Sequence, residues 1–320
     1  MPDHTNGLFY AGLRRINAMV TIQVAGEALV DIVDGVAHPG GSPMNVAVGL
    51  GRLGHNVLLQ TDIGEDEHGR LITEHVTASG VQLAAGSHTD ARTSSATVVL
   101  DESGDANYEF QLNCKLQNMA STEAELFHSG SIAAFQGPSA ARIHEAFQTS
   151  PAGQILSFDP NLRPELVENR ADAVKQIEKL AGLADIVKLS DEDALWLYPG
   201  WDTNRILEHF LARGASLAVI TFGARGAEAR TAHSEVMVPS VSVRTVDTVG
   251  AGDAFMSGLL HSILESSLAQ SLRDGTELDS LEIEKVMKIA SVCAGITVSR
   301  AGANPPTLEE LNQFLTATSR

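Results

Sequence analysis

Residues 154–197 read QILSFDPNLRPELVENRADAVKQIEKLAGLADIVKLSDEDALWL. Two short apolar, β-rich runs, 154–158 and 185–189, read as strands, and 165–182 between them has a helical pattern. A strand, a helix and a second strand in that order place the two strands parallel, because the helix carries the chain back to the starting edge. The alternation extends outward in both directions. Strands are expected over 131–135 and 217–221, and helices near 139–148, 191–198 and 203–213. Upstream, 20–33 reads as a strand running on into a second extended piece. Residues 43–54 start a helix with Val46, Leu50 and Leu53 at helical spacing, 56–64 is a strand, and 66–80 is an amphipathic helix closed by Gly80. Short buried strands alternating with helices predict an α/β fold: a mostly parallel central sheet covered on both faces.

One segment breaks the pattern. TSSATVVLDESGDANYEFQL, residues 93–112, reads as two strands around a Ser-Gly-Asp turn with no helix between them. With the second extended piece it predicts a small β-sheet lid, built from segments 28–39 and 91–112. There is no internal repeat and no low-complexity linker. A single domain over 19–320 is expected, preceded by a flexible tail at 1–18.

The chain has 320 residues, 22 Lys plus Arg and 40 Asp plus Glu, for a formal net charge of -18. So acidic a surface argues against nucleic acid and anionic membrane as partners, while leaving room for a locally positive site. No apolar run approaches the roughly 18 residues of a membrane span. The two cysteines, Cys114 and Cys293, have no metal-ligand spacing and point to reduced thiols in a cytoplasmic protein.

In a parallel sheet, ligands sit where strand ends lead into helices. GGSPMN, FDPNLR, KLSDED, TFGARGA and DTVGAGD all occupy such places. In VDTVGAGDAFMSGLL, residues 246–260, Gly250 and Gly252 permit close backbone approach, and a helix N-terminus with free N–H groups suits an anion, above all a phosphate. Asp253 then has two readings. It is a helix N-cap, or a base taking a proton from a hydroxyl that attacks a bound phosphoryl group. In HPGGSPMNVAVGLGRLG, Gly40 and Gly41 let a polyhydroxy ligand touch the backbone, and Asn45 offers a donor and an acceptor to a sugar diol.

These motifs resemble the PfkB, or ribokinase-like, family of carbohydrate kinases. One family signature matches Gly40, Gly41, Asn45, Ala47, Gly54 and Gly64; the other matches Asp247 to Leu260. With FDPNLR, KLSDED and TFGARGA between them, the match runs from about Val20 to Phe314. Among subfamilies the loops are most similar to bacterial and plant fructokinases. The resemblance implies a ribokinase-like three-layer α/β/α fold, with ATP, Mg²⁺ and a sugar as ligands. It makes Asp253 the general base and Gly250, Ala251 and Gly252 the anion hole. Asp31, Gly40, Gly41, Asn45, Asn161 and Arg163 fall at sugar positions, Arg163 adding fixed positive charge. Ser190, Thr221, Gly223 and Gly226 fall at nucleotide positions. Asp247 matches an acid beside a monovalent cation such as K⁺, whose site 299–307 would complete. A homodimer through the lid is a further implication.

One position departs from the family. An Asn-x-x-Glu pattern that organises water around Mg²⁺ is here Ser190 and Asp193, one methylene shorter at the acid. D-fructose, phosphorylated at its 6-hydroxyl, is the first expectation. Ribose, 2-keto-3-deoxygluconate, polyols and nucleosides are alternatives using the same loops, and a non-catalytic sugar binder would have no need of the base. Gly49-x-Gly51-x-x-Gly54 satisfies a dinucleotide-binding pattern, but HNVLLQTDIG after it is strand-like where that pattern needs a helix, and the nearest acids, Asp62 and Glu65, lie in the following turn. No G-x-x-x-x-G-K-[ST] is present, the 11 histidines form no metal motif, and LEELNQFLTAT (308–318) reads as a core-packing helix.

Overall fold

Branched residues crowd the short runs and straight-chain residues the longer ones, so strands and helices alternate as the propensities require. The computed structural model describes residues 21–100, 106–116, 119 and 124–318. The expected tail at 1–18 and the Ser-Gly-Asp turn of the hairpin lie outside the described residues. In chain order the first elements are β1 (Thr21–Ala25), β2 (Leu29–Val33), β3 (Val36–Gly40), α1 (Ser42–Arg52), β4 (Asn56–Gln60), β5 (Ile63–Gly64), α2 (Glu67–Ala78), β6 (Val81–Leu83), β7 (His88–Thr89), β8 (Ser94–Leu100) and β9 (Ala106–Gln111). Then come β10 (Leu126–Gly130), α3 (Ser131–Phe135), α4 (Gly137–Gln148), β11 (Ile155–Asp159), α5 (Arg170–Ala181), β12 (Ile186–Ser190), α6 (Asp191–Leu197), α7 (Thr203–Leu211) and β13 (Leu217–Thr221). The chain closes with β14 (Ala227–Arg230), β15 (Glu235–Val238), α8 (Ala251–Leu264), α9 (Leu268–Asp274), α10 (Ser280–Val298) and α11 (Leu308–Thr318).

Nine strands form the main sheet in the order β15-β14-β13-β12-β11-β10-β1-β4-β6. The pairs from β13 through β6 are parallel, and β14 and β15 add an antiparallel edge. Alternate side chains of each strand enter opposite layers. Ile22, Val24, Leu126, Ile155, Ile186 and Leu217 pack with α1, α8 and α10. Phe127, Leu156, Phe158, Val187 and Ile220 pack with α4, α5 and α7. Each such side chain contributes about 1.5–3 kcal/mol by leaving water. No helix among the described residues is long and apolar enough to cross a membrane.

The strand expected at 131–135 is corrected. The strand is Leu126–Gly130, and 131–135 forms the short helix α3. All five strand residues are buried, yet His128 and Ser129 interrupt the apolar run that would mark a strand. Ser131 turns the chain with φ 54°, and a side chain on Gly130 would collide with Asp159 O on the neighbouring strand. The Gly49-x-Gly51 pattern lies inside α1, where side chains would strike Ser257 of α8 and Ser79 O after α2. These glycines serve helix packing.

The four-stranded sheet β3-β2-β8-β9 stands apart. Its β2–β8 pair is parallel and its outer pairs are antiparallel. Val30, Ile32 and Ala37 turn toward the core. The opposite face carries a cross-strand row of His38, Asp31, Ala96 and Phe110, set by the register.

Under the main sheet's helical layer, His55 Nε2 and His261 Nδ1 lie 2.8 Å apart. Burial lowers His55 to about 4 and His261 to about 3, the charge of one ring also opposing that of the other. Both values are depressed from 6.5, so the stability they lend is present above about that pH. It is lost as pH falls toward the folded values, since the unfolded chain takes up the protons first. Two sites support a slope of at most about 2.7 kcal/mol per pH unit. Between about pH 7 and about pH 5, the melting temperature of the wild type should drop more steeply than that of His261→Asn. Parallel curves would show that the pair does not govern acid stability.

Candidate active site

Gly250 begins α8 in the left-handed region, φ 74°, and has no side-chain cap. Asp253 therefore is not the N-cap: it occupies the third helical position. Its Oδ1 accepts a hydrogen bond from Ser42 Oγ at 2.7 Å and its Oδ2 one from Asn45 Nδ2 at 2.8 Å, both donors on the first turns of α1. The two bonds fix the plane of the carboxylate. An ionised carboxylate has about four acceptor directions, so it can still receive a ligand hydroxyl. First-turn amides lack intrahelical acceptors. Of the expected anion hole, Ala251 N–H donates to Thr248 O at 3.3 Å, and Gly252 is exposed.

Beside this carboxylate lie the sugar-site expectations. Asp31 points from β2 over Gly40, where any side chain would collide with its Oδ2. Its carboxylate accepts no hydrogen bond from another described side chain. Partial burial raises its pKa, against the pull of Arg163 and His38. A partly desolvated carboxylate that accepts no hydrogen bond from a described side chain can accept one from a ligand hydroxyl. Gly41 is the N-cap of α1 with φ 105°, and a Cβ there would lie 2.8 Å from Glu27 O. Asn161 takes φ 36°. Arg163 folds back on it, donating to Asn161 Oδ1 at 2.9 Å and Leu162 O at 2.8 Å. The Arg163 charge reaches Asp31 and Glu27.

The nucleotide expectations gather on the neighbouring strand ends, β12 and β13. Ser190 and Thr221 are register partners at the ends of β12 and β13. Gly223 and Gly226 follow in the next loop with φ 55° and 98°, and Arg225 ties that loop to Asp191. Ser190 caps α6 through a capping box with Asp193. Both Asp193 oxygens are engaged, Oδ1 by Leu162 N at 2.9 Å and Oδ2 by Ser190 N at 3.1 Å. Asp247 joins two loops: Oδ1 accepts from Val249 N at 3.0 Å and Oδ2 from Gly302 N at 2.8 Å. These backbone bonds, Val249's foremost, hold its pKa below the usual carboxylate value.

The sequence of the pfkB family carbohydrate kinases matches residues 15–310. The chain belongs to this family. A probable fructokinase-7 of Arabidopsis thaliana is 32% identical to this pfkB kinase over 323 residues, 92% of each chain. A fructokinase of Rhizobium leguminosarum bv. trifolii is 33% identical, covering 80% of this chain and 86% of its own. Among solved structures, a Xylella fastidiosa fructokinase with bound ATP superposes with TM-score 0.79 at 26% identity, over 94% of this chain and 99% of that one. A Vibrio cholerae O395 fructokinase double mutant, in fructose-, ADP- and potassium-bound form, gives 0.77 at 28%, over 95% and 99%. Aminoimidazole riboside kinase of Salmonella enterica, complexed with aminoimidazole riboside and an ATP analogue, gives 0.78 at 26%, over 92% and 99%.

Four residues of this pfkB kinase escaped the sequence reading. Ser42 looked like a helix-start serine, and its reach to Asp253 spans 211 residues. Glu27, 3% exposed, is raised in pKa chiefly by burial and accepts from Ala133 N at 3.1 Å, fixing the turn after β10. Asp159 and Lys188 are charged residues inside strands and meet at 2.6 Å. An acid or lysine in an otherwise apolar strand was the available signal.

Proposed function

We propose that this carbohydrate kinase transfers the γ-phosphoryl group of ATP to the 6-hydroxyl of D-fructose, with Asp253 as general base. The observation carrying this reading is the Asp253 carboxylate, held by Ser42 and Asn45 beside the open first turn of α8. An attacking hydroxyl placed there can give its proton to Asp253 as oxygen bonds phosphorus and the bond to the ADP oxygen breaks. The amides of Gly250, Ala251 and Gly252 at the start of α8 would face the transferring group and its negative charge. Asp31, which accepts no hydrogen bond from another described side chain, would accept those of sugar hydroxyls, and Arg163 would keep that corner electropositive. The small sheet that carries Asp31 would close over the sugar and exclude water. Fructose is favoured because the relatives and neighbouring structures include fructokinases, one of them described with fructose and ADP.

ATP would lie along the ends of β12 and β13, near Thr221 and the 223–226 loop. The described residues contain no group of three His, Cys, Asp or Glu placed to hold a metal. That donor set fits a Mg²⁺ held mainly by nucleotide phosphates and water, which supplies charge neutralisation when bound. Asp193, its oxygens already taken by amides, would act on that water only through remaining lone pairs. Asp247, which accepts from the Gly302 amide of the 299–307 loop, would be the acid beside a monovalent cation such as K⁺.

ATP consumption over a panel of sugars and nucleosides tests the reading. Fructose should give the highest kcat/KM, and Asp31→Asn should raise the KM for it about 10-fold or more through lost charge-assisted hydrogen bonds. Lowering the pH should weaken fructose binding in the wild type at higher pH than for an ordinary carboxylate, since Asp31 is raised. Turnover of a nucleoside in preference to fructose would overturn the substrate; an unchanged KM in Asp31→Asn would remove Asp31 from the site.

A further inference from the structure

A full positive charge is buried beneath the first turn of α8. Lys188, inside β12, is 3% exposed. Its ammonium donates to Asp159 Oδ2 at 2.6 Å, and a Cβ built on Gly252 would sit 3.6 Å from Nζ, at van der Waals contact. Burying such a pair is costly, because both ions leave water. An apolar side chain would suit this strand face better, so the ammonium is retained against the demands of the core.

The pocket around it holds more negative than positive charge. Asp159 enters from β11, Asp253 from α8 and Asp193 from α6, and together they hold the Lys188 proton above its ordinary value although burial opposes them. Burial pushes Asp159 up to about 6, against the pull of Lys188 and with Asp193 and Asp253 adding to it. Asp159 Oδ1 is buried and has no hydrogen-bond partner among the described residues. From β10 comes His128, whose ring burial and Lys188 lower to about 3; its Nδ1 meets Ser157 Oγ at 3.1 Å. The first turns of α1 contribute the neutral Ser42 and Asn45. One cation thus answers several acids, and it lies against the backbone that would face the phosphoryl group.

We propose that Lys188 is a positioning residue for phosphoryl transfer: seated between Asp159 and Gly252, it sets the field acting on Asp253 and on the anion-hole amides. It touches neither sugar nor adenine in this role and works through the groups around it. The inference rests on the reading of Asp253 as the base.

The test is the pH dependence of kcat and kcat/KM in wild type, Lys188→Met, Asp159→Asn and the double variant Lys188→Met/Asp159→Asn. Removing the cation should move the acid limb up by on the order of one pH unit and lower kcat on the order of 10²-fold. The KM for sugar and for ATP should stay within about threefold, since no binding group is lost. Removing the Asp159 charge should move the limb down. The double variant, which leaves no unpaired buried charge, should lie between the two; it keeps the test alive if Lys188→Met alone does not fold. Limbs that stay in place, limbs that move the same way in both single variants, or a loss confined to KM would overturn the role of Lys188. If Asp253→Asn is inactive while the limbs stay fixed, only the Lys188 proposal fails. A fully active Asp253→Asn would instead overturn the base on which it rests.

Discussion

Asp253→Asn should leave the fold standing and abolish nearly all turnover. Asparagine keeps the shape but is a poor base, and loss of a general base costs about 10²- to 10⁴-fold in rate. The structural change is small. One carboxylate oxygen becomes an NH₂ facing either Ser42 or Asn45. The Ser42 hydroxyl can rotate and accept where it had donated, whereas an NH₂ facing Asn45 Nδ2 would oppose donor to donor, so the Ser42-facing rotamer prevails. The loss in stability is then about 1 kcal/mol, the worth of an exchanged hydrogen bond. A coupled assay of ADP release alongside thermal melting separates the two effects. Near-normal kcat in this variant would end the reading of Asp253 as base; a collapse in melting temperature would make the residue structural.

The second large effect is expected at Gly252, and there stability and activity should part company. Gly252 is outside the left-handed region, its surface is exposed, and an added Cβ meets only Lys188 Nζ at 3.6 Å. The fold has room for a side chain. Gly252→Val should melt at or slightly above the wild-type temperature, since glycine within a helix is less favourable than other residues by up to about 1 kcal/mol. Turnover should nevertheless fall about 10²-fold or more, because the branched side chain fills the space where the transferring phosphoryl group must align. Gly250→Val provides the contrast. That position has φ 74°, and its Cβ would lie 2.6 Å from Ala303 Cβ and 2.8 Å from its Cα, so both stability and activity should suffer. A Gly252→Val enzyme with wild-type kcat would show that the phosphoryl group lies elsewhere.

Much of this was readable from the sequence because the site is made of loops at strand ends. Parallel strands and helices announce themselves by period, and GGSPMN, KLSDED, TFGARGA and DTVGAGD each sit at a change of period. Glycines at those changes leave the backbone open to a ligand, and Asp253 follows the last of them. What stayed hidden depends on contacts distant in sequence. The β10 strand carries a histidine and two small polar or flexible residues, and its burial comes from neighbours on both faces, so the apolar run beyond it drew the strand to 131–135. The antiparallel edge of β14 and β15 was missed for a similar reason: AEAR and EVMV are short, and Arg230 reaches Glu208 and Glu235 outside the core. Ser42 is indistinguishable from any helix-start serine until Asp253 is placed over it. The Lys188–Asp159 pair needed the β11–β12 pairing to become visible.

The bonds from Ser42 and Asn45 to Asp253 bridge 211 and 208 residues of chain. A growing polypeptide completes one side of that bridge long before the other. At about 5–20 residues per second, the delay between the two halves is on the order of 10–40 s. During that delay the glycine-rich turn proposed for the sugar and, later, the loop at 221–226 are already synthesised, while the Asp253 carboxylate is not. With Asp253 as the base, a partly made chain of this enzyme would have its candidate ligand loops and no chemistry, and the ability to transfer a phosphoryl group would arrive in one step, late in synthesis, when α8 docks on α1.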